Sequence, residues 1–96
     1  MKTYIKNIEG LNEFLGYENN EFDGEEIGYG ERAIIFTDVT DLCNGKTKAE
    51  KLDDFMENAD FGQSFRYKHL ILYKVRRPNG DAVVVYEDKN GNICQF

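Results

Sequence analysis

The stretch that settles the architecture is Phe65-Arg66-Tyr67-Lys68-His69-Leu70-Ile71-Leu72-Tyr73-Lys74-Val75-Arg76-Arg77-Pro78-Asn79-Gly80-Asp81-Ala82-Val83-Val84-Val85-Tyr86-Glu87-Asp88-Lys89-Asn90-Gly91-Asn92-Ile93-Cys94-Gln95-Phe96. Its β-branched and aromatic runs are punctuated by turn residues, the pattern of a β-meander. Phe65 to Arg77 reads as one long strand. Pro78-Asn79-Gly80 turns it, with Pro fixing φ and Gly free to take φ > 0. Asp81 to Lys89 runs back, and Asn90-Gly91 is a strong hairpin signal. A two-residue loop there places Cys94 near Glu87 and Phe96 near Val85.

Upstream of the meander, Thr47-Lys48-Ala49-Glu50 is a capping box, in which hydroxyl and carboxylate satisfy orphan amides at a helix start. Ala49, Leu52, Phe55, Met56 and Ala59 form the apolar stripe of that helix, and Gly62 ends it. Ala33-Ile34-Ile35-Phe36-Thr37-Asp38-Val39 reads as a central strand and Thr3-Tyr4-Ile5-Lys6 as an opening one. Leu11, Phe14 and Leu15 share one face of a brief helix that Gly16 caps. Residues 17–31, with three glycines and dense carboxylates, read as a long acidic loop. The predicted order is therefore β-α-β-α-β-β-β in one α+β domain over residues 1–96. Its sheet is antiparallel-rich, with both helices on one face. A chain of 96 residues is too short to bury two separate cores.

Net charge is −6, unevenly spread: residues 1–8 carry +2, residues 9–31 carry −8, residues 32–64 carry −3 and residues 65–96 carry +3. No stretch approaches the ~20 apolar residues of a membrane-spanning helix. Met1–Lys6 lacks the apolar centre of a signal peptide, and Cys43 and Cys94 belong to no motif. Together these predict a reducing, cytoplasmic location and no membrane partner.

Most chemistries fail on spacing. Gly28-Tyr29-Gly30-Glu31-Arg32-Ala33 has the letters of a dinucleotide fingerprint, but an acidic loop precedes it and a strand follows. Asp88-Lys89-Asn90-Gly91-Asn92 opens like a calcium loop, yet Ile93 stands where the required Gly belongs. Glu21, Asp23, Glu25 and Glu26 lack fixed ligand spacing, so neither a metal nor another cofactor is expected. The one histidine, His69, alternates in phase with Tyr67, Ile71 and Tyr73, which reads as a core histidine. A thiol enzyme pairing it with Cys43 or Cys94 is the weakest reading, and the chain is expected not to be an enzyme.

Two surfaces remain. Arg66, Lys68, Lys74 and Arg76 share one strand parity and, with Tyr73, would make a sheet face that stacks bases and neutralises phosphates. Against it stand the overall negative charge and pairing of these cations with the molecule's own acids. The second is an acidic surface of Glu18, Glu21, Phe22, Asp23, Glu25, Glu26, Tyr29, Asp53, Asp54 and Glu57, in which carboxylates steer a basic partner and aromatics anchor it. The favoured expectation is a non-enzymatic interaction protein that inhibits a partner with a basic, nucleic-acid-binding surface. Size and charge are the only analogy with phage or mobile-element anti-defence (anti-CRISPR-like) proteins and with immunity proteins. Asn92–Phe96 reads as a sheet edge, and edges pair between chains.

Overall fold

The computed structural model describes residues 1–96. Its elements are β1 (Lys2–Ile5), α1 (Ile8–Leu15), β2 (Glu25–Gly28), β3 (Glu31–Asp38), a 3-10 turn (Thr40–Leu42), α2 (Lys48–Asn58), β4 (Gln63–Tyr67), β5 (Leu70–Arg76), β6 (Ala82–Glu87) and β7 (Ile93–Gln95). The sheet runs β1-β3-β4-β5-β6-β7, with β2 added to β3. Every pairing is antiparallel except β3 with β4, where Thr37 lies opposite Gln63 and Asp38 opposite Ser64. A parallel pair needs a crossover connection, and α2 supplies it. The fold is α+β, as the sequence predicts.

Two extra strands come from places the residue pattern conceals. The run Phe65–Arg77 is not one strand: the chain reverses at Lys68-His69, so Ser64 faces Tyr73 and Tyr67 faces Leu70. Neither turn residue is Gly, Pro or Asn, and Lys68 takes φ 55. Cross-strand burial of Phe65 against Leu72 holds a turn that local chemistry does not announce. Within the acidic loop, Glu25–Gly28 pairs with β3 to make a hairpin.

The two later turns share one design. Gly80 N–H donates to Arg77 O (2.8 Å) while Arg77 N–H donates to Asp81 O (2.9 Å). Gly91 N–H donates to Asp88 O (3.0 Å) while Asp88 N–H donates to Asn92 O (2.9 Å). Each is a three-residue loop with glycine in the left-handed region, at φ 95 and φ 83. The last hairpin therefore shifts by one from the two-residue register: Cys94 faces Tyr86 and Gln95 faces Val85.

The helices lie on opposite faces of the sheet, which corrects the one-face expectation. Leu11 and Leu15 of α1 pack with Ile5, Phe36, Tyr73, Val75, Val83 and Val85. Phe55 of α2 packs with Val39, Cys43, Phe65, Leu72 and Val84. Alternation along β5 and β6 sends neighbouring residues to opposite sides. Both strands are apolar at successive positions, so both faces need a cover. α1 starts with Asn7 Oδ1 accepting from Gly10 N–H (2.8 Å) and stops at Gly16, φ 88. α2 starts with Thr47 Oγ1 accepting from Glu50 N–H (3.1 Å). Glu50 reciprocates to Lys46 N–H (3.1 Å), one residue earlier than a standard capping box. Of the α2 stripe only Phe55 is fully buried; Ala49 and Met56 are exposed.

Candidate protein-binding surface

The opposed helices divide the acidic residues into two patches. Asp53 and Glu57 project from α2, while Glu18, Glu21, Glu25, Glu26 and Tyr29 belong to the loop and hairpin that follow α1. Asp54 is half-buried and accepts from Gly45 N–H (2.8 Å), so it holds the approach to α2.

Inside the loop the aromatics have different tasks. Tyr17 and Phe22 meet edge to face at 4.9 Å and pack on the α1-side core. The Tyr17 hydroxyl donates to Arg76 O, and Phe22 N–H donates to the buried Asn12 Oδ1 (3.2 Å). Phe22 is thus a pin for the loop rather than an exposed anchor. Asp23 is also committed, in an ion pair with Arg32, whose Nε and Nη2 donate to Gly24 O (3.2 and 2.9 Å). A side chain at Gly24 would run into the Ala33 backbone and Ile8, so glycine there lets the loop close on β3.

These anchors carry a β2–β3 hairpin that ends in Gly28-Tyr29-Gly30. All three tip residues have positive φ, at 137, 51 and 78. For the two glycines this is free, whereas for a tyrosine it costs roughly 1–2 kcal/mol. No part of the molecule covers the Tyr29 side chain, which is 107% exposed. Ile27, two residues before it, is 38% exposed, so neither Ile27 nor Tyr29 pins the loop as its apolar character suggests. Glu18, Glu21, Glu25 and Glu26 are exposed, and the molecule's two ion pairs, Lys6–Glu31 (3.0 Å) and Arg32–Asp23, leave all four free.

The basic residues of the meander do not form one face. Because Lys68-His69 reverses the chain, Arg66 lies opposite Ile71, on the α1 side with Tyr73, whereas Lys74 and Arg76 share the α2 side with Leu72. Lys74 is 9% exposed and its ammonium donates to Met56 O (2.9 Å) at the end of α2. Arg76 stacks over Phe61 at 5.5 Å and Lys68 over Tyr67 at 5.3 Å. Tyr73 is buried, with its hydroxyl donating to Tyr4 O (3.0 Å). Lys74, Arg76 and Lys68 thus engage a carbonyl and ring faces of their own molecule, not its carboxylates.

His69 sits exposed at the β4–β5 turn, not in a core. Cys43 is buried with Sγ 3.4 Å from Val39 O, and burial, aided by the nearby carboxylates Asp54 and Asp38, pushes its thiol pKa up. That disfavours the nucleophilic thiolate. No cluster of three or more His, Cys, Asp or Glu side chains is arranged to hold a metal ion. No helix is long and apolar enough to cross a membrane. Comparison with protein-family models, with curated proteins and with solved structures finds no match to this chain.

Proposed function

We propose that this chain is a small cytoplasmic interaction protein that acts by binding, not by chemistry, and inhibits a protein with a basic, nucleic-acid-binding surface. The observation that carries the reading is the β2–β3 hairpin. It holds an uncovered tyrosine in a costly backbone conformation, next to Ile27 and beside carboxylates with no internal partner. Strain that no contact of the free molecule repays marks a position kept for another purpose. Tyrosine is favoured at binding hot spots, and unpaired carboxylates steer and orient a cationic partner. The Asp53–Glu57 patch of α2 faces elsewhere and stays outside this surface.

The test is capture from lysate of the source cell on immobilised protein at low and high salt, with bound material divided into protein and nucleic acid. The expected result is a basic protein that salt releases. Its capture falls at least about ten-fold, some 1.4 kcal/mol, both for Tyr29→Asn and for joint Glu18, Glu21, Glu25 and Glu26→Gln. Asn tolerates left-handed φ, so Tyr29→Asn keeps the hairpin and leaves thermal stability equal or higher. Capture that neither variant weakens, or nucleic acid as the bound species, would overturn the reading.

A further inference from the structure

The outer edge of β7 differs from every other margin of the sheet. β1 carries Lys2 and is followed by Lys6, and β2 carries Glu25 and Glu26, whereas Asn92-Ile93-Cys94-Gln95-Phe96 has no charged side chain. Charge is a common means of blunting an edge against pairing, and β7 lacks it.

The hydrogen bonds fix which groups face out. Asp88 N–H donates to Asn92 O and Phe96 N–H donates to Val84 O, both at 2.9 Å, so even-numbered residues turn their backbone groups towards β6. By alternation, the N–H and C=O of Ile93 and Gln95 point away from the sheet. The free edge therefore offers two donors and two acceptors placed symmetrically about Cys94. On the α2 side of the same strand, Phe96 is 43% exposed and meets Tyr67 edge to face at 5.8 Å.

We propose that the β7 edge pairs with the β7 edge of a second copy of this chain, antiparallel, about a two-fold axis through Cys94. In that register Ile93 of each copy exchanges hydrogen bonds with Gln95 of the other, and all four outward groups are satisfied. A second copy fits because the edge is complementary to itself under a two-fold. The strand contributes no charged side chain of its own to the contact, and the nearest carboxylate, Asp88, stands 4.0 Å from Cys94 Sγ. The pairing makes one continuous sheet, with Phe96 of each copy opposite Asn92 of the other.

The register makes a specific claim about Cys94. It becomes a non-hydrogen-bonded pair with its counterpart, Cα atoms about 4.5 Å apart, which lies within the span a disulfide bridges. The other thiol, Cys43, is buried within the α2-side core.

Sedimentation of the full chain under reducing conditions, from micromolar to millimolar, is expected to show a reversible monomer–dimer equilibrium. Adding diamide, which accepts two electrons and two protons from two thiols, should then trap a covalent dimer that peptide mapping assigns to Cys94–Cys94. Gln95→Pro removes an outward N–H and leaves the β6 ladder intact, a placement that edge strands tolerate. It should keep the wild-type circular dichroism and weaken dimerisation at least about ten-fold. Cys94→Ser should dimerise as wild type and lose the cross-link. A monomer throughout the range overturns the proposal, whether the edge is idle or takes another protein's strand. So does a dimer indifferent to Gln95→Pro, or a cross-link through Cys43.

Discussion

Tyr73 keeps its hydroxyl in the α1-side core, 4% exposed and donating to Tyr4 O. Burial, with a smaller contribution from the Glu87 carboxylate, pushes its pKa from 10 up to about 12. The unfolded chain releases this proton near pH 10, whereas the folded chain holds it to about pH 12. Above pH 10 the unfolded state therefore binds fewer protons, and stability falls as pH rises through that window. Urea unfolding at graded pH should show an alkaline loss on the order of 2 kcal/mol that Tyr73→Phe largely removes; equal slopes in both proteins would refute the assignment. The residue scale is also where sequence reading erred most. Parity counted through Lys68-His69 as if the strand continued put Lys74 on one face with Arg66 and His69 in a core. One unannounced left-handed residue, Lys68, inverts every later side chain relative to Arg66.

At the scale of elements, turn and cap chemistry was legible and neighbour packing was not. Pro78-Asn79-Gly80, Asn90-Gly91 and Thr47-Lys48-Ala49-Glu50 all mark a turn or a helix start, although Asn90-Gly91 closes a three-residue loop with a shifted register and Glu50 accepts from Lys46 N–H in place of Thr47 N–H. The β2 strand was invisible because Glu25-Glu26-Ile27-Gly28 has poor strand propensity and exists by borrowing the β3 ladder and the Arg32 clamp. α2 was correctly placed, but its anchorage is narrow. Phe55 alone is fully buried, and its ring stacks on Phe65 at 5.5 Å. Four carboxylates on one short helix (Glu50, Asp53, Asp54 and Glu57) add mutual repulsion instead of support. Phe55→Ala should accordingly cost about 3–5 kcal/mol, against a total of about 5–15 kcal/mol for a domain of ordinary stability. Chemical denaturation measures this directly, and a loss below about 1 kcal/mol would mean that α2 is held by something other than Phe55.

For the whole molecule, the charge count was visible in the sequence and its distribution in space was not. The acidic run and the acidic helix are separate patches because a parallel crossover carries α2 to the face opposite α1. The signal for two covered faces was present in the unbroken apolar runs Leu70–Tyr73 and Ala82–Tyr86, which a one-sided sheet would not need. The same opposition gives the molecule two thin cores that share only their strands, one secured by α1 and the pinned loop, the other by Phe55 of α2 with Leu52 and Ala59 half-buried beside it. Such a molecule does not come apart all at once. Amide hydrogen exchange should find α2 opening as its own cooperative unit, well below the free energy at which β5 and β6 exchange. Such an opening would bare Phe65, Leu72 and Val84 while the α1 side stays shut, so limited proteolysis is expected to make its first cut in or beside α2, at a rate that follows how often one helix lifts.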